Sequence, residues 1–199
     1  MFKNYIFDFG QVIVKFDPYY MTSRYMENED DIKLASDVIF DRLYWDKLDE
    51  GTITDDEVKS DIIKRLPQRL HKGAIMAYDN WYMNIPLIKG MEDIIFTLKK
   101  EGKKLYLLSN ISIGFADNYY KNRDVLRVLG LFDGLVFSGK IGLVKPNADI
   151  FNYLLNKYDL KAEETVFIDD SLKNIEGAQK VGISGYLFDG DVNRIKSNI

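Results

Sequence analysis

The chain has 199 residues, 46% of them hydrophobic, which is enough for one compact core with at most a modest insertion and excludes a disordered chain. A net charge of -4 removes the electrostatic reason to expect nucleic acid or an anionic membrane as the main partner. No cysteine occurs, so disulfides, thiolate zinc ligands and a cysteine nucleophile are excluded as well.

The first element is a short apolar run at residues 5–7, cut off by Asp8 before a signal-peptide core can form. No later stretch approaches the roughly 18 apolar residues of a membrane span, and with the lack of cysteine the expected location is the cytoplasm. Residues 17–85 are rich in acidic and aromatic side chains, show helical periodicity and lack convincing strands. They are expected to form a helical insertion, with breaks at Glu50-Gly51 and Pro67. Pro86 to Gly90 marks the return to the main domain, which is expected to comprise residues 1–16 and 86–199.

From there strand and helix signals alternate. Residues 91–101 carry Ile94, Ile95 and Leu98 on one face, with Gly102 at the C-terminal cap position. Apolar runs follow at residues 104–108, 135–137, 165–168 and 186–188, too brief for helices and too apolar for exposed strands. Helical spacing returns at residues 147–158 and again at 171–182, where Ser171 is the expected N-cap. Strand, helix, strand in series predicts an α/β fold, a doubly wound and mostly parallel sheet with right-handed crossovers.

In such a sheet, ligands bind beyond the carboxyl ends of the strands, where the chain order reverses. The polar clusters sit at those ends. Asp8 follows the first strand, Ser109-Asn110 the second, Ser138 the third with Lys145 a short loop later, and Asp169-Asp170 the fourth. Three carboxylates meeting there raise one another's pKa unless a cation sits among them, and a hard oxygen-rich site suits Mg²⁺. Lys145 and the Ser109 hydroxyl suit a phosphoryl group's charge, and one carboxylate can act as nucleophile.

The ordered set Asp8, Ser109, Lys145-Pro146 and Asp169-Asp170 resembles the haloacid dehalogenase (HAD) superfamily. The segment LGLFDGLVFSGKIGLVKPNADIF, residues 129–151, is similar to its sugar-phosphatase-type members. The resemblance implies a HAD-like Rossmannoid core, with residues 17–85 as a C1-type helical cap. It also implies a Mg²⁺-dependent phosphatase acting on a small phosphorylated metabolite, such as a sugar phosphate, through an aspartyl-phosphate on Asp8. By the same resemblance Asp8, Ser109 and Lys145 are catalytic. Ser109, Asn110 and Lys145 hold the phosphoryl group, and Asp8, the Gly10 carbonyl and Asp170 hold the metal, with Asp169 as an additional ligand. Asn110 and Asn174 support the loops.

One departure stands out. Family phosphatases usually carry a second aspartate two residues after the nucleophile as general acid and base, and here that residue is Gly10. Glucose-1-phosphate-phosphatase-like members share this Asp-x-Gly pattern. Asp17, or a water held by Gln11, is a candidate substitute. Two alternatives stay open: a metal-independent dehalogenase, against which the paired aspartates argue by repelling an anionic haloacid, and a degenerate member that binds without turnover.

Several residues have plain structural explanations. His71, between Arg69 and Lys72, reads as an exposed helix end or loop, and Glu29, Asp30 and Asp31 as a solvated face or cap. Tyr44, Trp45, Trp81 and Tyr82 read as packing between insertion helices, with a cavity lining as the alternative.

Overall fold

The computed structural model describes residues 2–198. Strand β1 is Asn4–Phe7, and its alternating side chains supply both faces of the sheet: Tyr5 and Phe7 to one core cluster, Ile6 to the other. The chain then leaves the sheet for five helices: α1 (Pro18–Ser23), α2 (Glu29–Ile39), α3 (Arg42–Asp49), α4 (Asp55–Arg65) and α5 (His71–Asn80). It returns through α6 (Met91–Lys100), β2 (Lys104–Ser109), α7 (Ile113–Asn118), α8 (Arg123–Leu129), β3 (Gly134–Phe137) and α9 (Ser138–Ile141). The last elements are α10 (Ala148–Lys157), β4 (Thr165–Asp169), α11 (Leu172–Gln179), β5 (Ser184–Leu187) and α12 (Val192–Asn198).

All four strand pairs are parallel and the order is β3-β2-β1-β4-β5. The chain builds outward from β1 through β2 to β3, then crosses to the other side of β1 with β4. The topological switch therefore lies between β1 and β4. One face of the sheet packs Tyr5, Phe7, Leu105, Leu107, Val166 and Ile168 against α6 and α8; the other packs Ile6, Tyr106, Leu108 and Phe167 against α10 and α11. Strand β5 starts two residues before its apolar run because Ser184 and Gly185 pair with Val166 and Phe167. Ser171 precedes α11 as expected but makes no side-chain cap; its N–H instead donates to Asp169 Oδ1 at 2.8 Å.

The helical insertion has a core of its own, built from Ala35, Val38, Ile39, Tyr44, Leu48, Val58, Ile62, Leu66, Leu70, Ala74, Ala77 and Tyr78. Its breaks have local causes. Thr54 and Glu57 form a reciprocal capping box that starts α4, and Pro67 separates α4 from α5. Asn28 caps α2, whose first turn holds Glu29, Asp30 and Asp31 against the helix dipole.

One close approach ties this insertion to the sheet. The turn after α3 passes so near the start of α9 that a Cβ on Gly51 would lie 2.7 Å from the Gly139 carbonyl oxygen, and one on Gly139 would lie 3.1 Å from the Leu48 carbonyl oxygen. Gly51 also has φ +68°, in the left-handed region. Among the described residues, no helix is long and apolar enough to cross a membrane.

Candidate active site

Register places the polar residues. Phe7 pairs with Leu107 and Ile168, so Asp8, Ser109 and Asp169 emerge together at the carboxyl ends of three neighbouring strands. The Asp8 N–H extends the ladder by donating to the Ile168 carbonyl at 2.9 Å. Its carboxylate therefore leaves a fixed backbone at the switch point.

Lys145 is the hub. Its side chain is 1% exposed, and Nζ donates to Asp8 Oδ1 at 2.6 Å and to Asp169 Oδ2 at 2.8 Å. Burial alone would lower the lysine's pKa, but the two carboxylates outweigh it and hold it above its ordinary value. Asn110 positions this lysine: its Oδ1 accepts from the Lys145 N–H and its Nδ2 donates to the Lys145 carbonyl. Asn110 also lines the site's cavity beside Ser109 and Lys145. Its amide is engaged with the loop, as short polar side chains at strand ends readily are.

Asp169 is fully buried, and its two oxygens accept from Lys145, the Ser171 N–H and Asn174 Nδ2. Asp170 beside it is exposed. Burial first, then the charge of Asp169, raise the carboxyl of Asp170. Burial also raises Asp8; Lys145 opposes the rise and Asp169 adds to it. One oxygen from each of Asp8, Asp169 and Asp170 lies within 4.8 Å of the others. Three carboxylates around a single lysine leave an excess of negative charge on hard oxygen donors, the donor set and the electrostatic demand that a small divalent cation satisfies. With both oxygens of Asp169 already engaged by nitrogen donors, Asp8 and Asp170 are the freer of the three.

Asp8, Lys145 and Asp170 open onto a cavity of about 870 Å³. Ser109, 2% exposed, and the backbone of Gly10 line its floor, and Phe16, Trp45 and Trp81 line its wall. Trp45 and Trp81 therefore do both jobs considered for them. They pack edge to face with each other and with Phe16, and they face the cavity. Tyr44 and Tyr82 are buried packing residues, and Tyr44 hydrogen bonds Asp61.

Two sequence candidates do not reach the site. Asp17 accepts from the Tyr20 N–H as the cap of α1 and pairs with Lys15 at 3.3 Å. The Tyr20 hydrogen bond, aided by Lys15, holds its carboxyl below the ordinary range, which suits neither an acid nor a base. Gln11 donates to the Phe16 carbonyl and is also absent from the cavity lining. His71 opens α5 with its Nε2 beside the Leu66 carbonyl, away from the cavity.

The sequence reading missed Asp49. It ends α3, lines the cavity, and its Oδ1 is buried without a hydrogen-bond partner. The Trp45 Nε1 is buried without a partner too. The available signal was spacing: Trp45 and Asp49 are four apart on one helix, so they share a face, while Tyr44 and Leu48 turn into the insertion core.

Known proteins resemble the chain in sequence and in fold. A family model for haloacid dehalogenase-like hydrolases matches residues 2–182. The chain is 34% identical over 95 residues to the sesquiterpene phosphatase astK of Aspergillus oryzae, covering 48% of this chain and 47% of that protein. It is 26% identical to the D-ribitol-5-phosphate phosphatase of Bacteroides thetaiotaomicron, over 94% of this chain and 91% of that one. A glyceraldehyde 3-phosphate phosphatase of Methanocaldococcus jannaschii is 31% identical over 67% of this chain and 58% of its own length. The chain thus spans about half the length of the first and last of these. Among solved structures, a HAD family enzyme of Bacteroides thetaiotaomicron, an Asp-to-Ala mutant in complex with magnesium and inorganic phosphate, superposes with a TM-score of 0.72 at 22% identity, covering 96% of this chain and 95% of that one.

Proposed function

The chain belongs to the haloacid dehalogenase-like hydrolases, and from that premise we propose that it is a Mg²⁺-dependent phosphatase of small phosphorylated metabolites, with Asp8 as nucleophile. The observation that carries this is the buried Asp8–Lys145–Asp169 arrangement at the sheet's switch point, with Asp8 and Lys145 lining a cavity of about 870 Å³.

Lys145 and the Ser109 hydroxyl bind the phosphoryl oxygens and turn the phosphorus toward Asp8. One Asp8 oxygen then attacks in line, the bond to the leaving oxygen breaks, and a phosphoaspartate results. Water attacks its phosphorus, inorganic phosphate leaves and the Asp8 carboxylate is restored. Asp8, Asp170 and the Gly10 carbonyl would hold Mg²⁺, which would supply charge neutralisation for the phosphoryl oxygens. Asp169 anchors Lys145 and the loop carrying Asp170 rather than serving as a main ligand. The helical insertion acts as a cap that closes the site and selects the substrate.

The aromatic wall offers apolar surface to C–H groups and the unpaired Trp45 N–H suits an accepting oxygen, both of which a sugar or polyol phosphate supplies. The full-length likeness to a D-ribitol-5-phosphate phosphatase supports that class. The neighbour that holds magnesium and inorganic phosphate supports the cofactor.

Phosphate release from a panel of sugar, polyol and other small phosphoesters, with Mg²⁺ or with EDTA, tests the proposal. Release is expected with Mg²⁺ only, and Asp8→Asn is expected to lower it at least about 1,000-fold. No Asp8-dependent release from any compound would overturn it, whereas halide release from a haloacid without metal would favour dehalogenation.

A further inference from the structure

We propose that Asp49, carried by α3 of the helical insertion, is the general acid and base of this enzyme, in the role that Gly10 has no side chain to perform. The inference rests on the phosphatase assignment above and adds to it a residue and a proton path.

A phosphate monoester of an alcohol has a poor leaving group, so its departing oxygen must receive a proton as the bond to phosphorus breaks. Nothing on the strand ends is suited to supply one. Asp8 is the nucleophile, Asp169 is held by four hydrogen bonds, and Asp170 lies in the carboxylate trio. The donor has to come from across the cavity.

Asp49 lines the same cavity as Asp8, Ser109 and Lys145, and its Oδ1 is buried with no hydrogen-bond partner. An unpaired buried carboxylate oxygen is costly to keep charged, which favours the neutral acid that a proton donor must be. Burial first, then the neighbouring charge of Asp46, push its carboxyl up to about 7, and the more distant Asp8 adds to the rise. Arg42 on the same helix and Lys145 from the strand-end side oppose it. Near neutral pH such a group is divided between acid and base forms, as a group that must give and then take a proton requires. The other cavity carboxylates of the insertion are less suited: Asp46 and Glu50 are exposed, and Asp46 pairs with Arg42.

The proton balance closes over two steps. As Asp8 attacks phosphorus, the neutral Asp49 carboxyl gives its proton to the leaving oxygen, and the alcohol departs. The Asp49 carboxylate then takes a proton from water as that water's oxygen attacks the phosphoaspartate. Inorganic phosphate leaves, Asp8 is free, and Asp49 is neutral again.

Position 10 provides the matching rescue. Its backbone lies outside the left-handed region, and a Cβ there would meet nothing within 4 Å. An aspartate fits where this chain has none.

The test compares wild type, Asp49→Asn and the double variant Asp49→Asn/Gly10→Asp on two substrates: p-nitrophenyl phosphate, whose leaving group needs little protonation, and D-ribitol 5-phosphate, whose leaving group needs it. Asp49→Asn is expected to lower kcat/KM about 100-fold or more on ribitol phosphate and less than about fivefold on p-nitrophenyl phosphate. The fall in wild-type rate on ribitol phosphate as pH rises through about 7 is expected to vanish in Asp49→Asn, and the double variant to regain most of the lost rate. Equal losses on both substrates, or a loss below about fivefold on ribitol phosphate, would overturn the role of Asp49 while leaving the phosphatase intact. A wild type inactive on both, and on the wider panel, would overturn the phosphatase and this role together.

Discussion

The strand ends and the helical insertion treat their buried polar groups in opposite ways. At the strand ends Lys145, Asp8, Asp169, Asn110 and Asn174 pair with one another or with the backbone. Among the described residues, the buried side-chain atoms without a partner are Thr22 Oγ1, Trp45 Nε1 and Asp49 Oδ1, and all three belong to the insertion. The strand-end site is organised before anything binds, as electrostatic stabilisation of a phosphoryl group demands. Two of the three unpaired atoms belong to residues that line the cavity, so the insertion carries its unmet polar groups beside the site. In the proposed reaction, the strand ends hold what every phosphoester shares and the insertion meets what differs among them.

That contrast can be attacked from each side. The largest expected effect is Lys145→Met, which strands two buried carboxylates; urea unfolding should show a stability loss of about 3 kcal/mol together with loss of turnover. A stability change below about 1 kcal/mol would mean that the strand-end network is not held by its lysine. Trp45→Phe should act the other way. It keeps the ring contacts with Phe16, Phe40 and Trp81 but removes an N–H that has no partner to lose. Stability should stay within about 0.5 kcal/mol while KM for the preferred substrate rises roughly 3- to 10-fold and kcat changes less. An unaltered KM would show that the indole does not meet the substrate.

The smallest effect belongs to a charge cluster remote from both regions. Burial pushes the carboxyl of Asp133 up, but hydrogen bonds from Lys99, the Leu105 N–H and Lys104 outweigh it and hold the group below its ordinary 3.8. Its stabilisation is therefore full above pH 3.8 and fades as pH falls through the lower folded value. Asp133→Asn should cost about 0.5 kcal/mol at neutral pH, leave turnover unchanged, and match wild type in strong acid. A gap that persists in strong acid would assign the loss to something other than this carboxylate's charge.

The two halves were also unequally legible in the sequence. Buried parallel strands announce themselves as short apolar runs, and a residue that ends such a run must lie at the sheet's edge, so Asp8, Ser109 and Asp169 were placed by topology alone. Asp49 was not, because its chemistry is made by burial rather than by its neighbours in the chain. The stretch Leu48-Asp49-Glu50-Gly51 reads as the frayed end of a helix, and only its docking on the sheet buries the carboxylate. Asp17 shows the reverse error. Its place near the first strand suggested a part in catalysis, yet capping α1 engages its carboxylate locally. The side-chain amide of Asn110 is likewise engaged locally, with the backbone of Lys145.

The Gly51–Gly139 contact has a consequence for how such a protein can change. With a Cβ on Gly51 only 2.7 Å from the Gly139 carbonyl oxygen, a methyl group there would act as a shim, wedging the end of α3 away from α9. Asp49 lies two residues before Gly51, so such a shim would shift it relative to Asp8. A replacement that touches neither carboxylate would then detune the gap between them, and two residues with no side chains act as the spacer that calibrates the cavity.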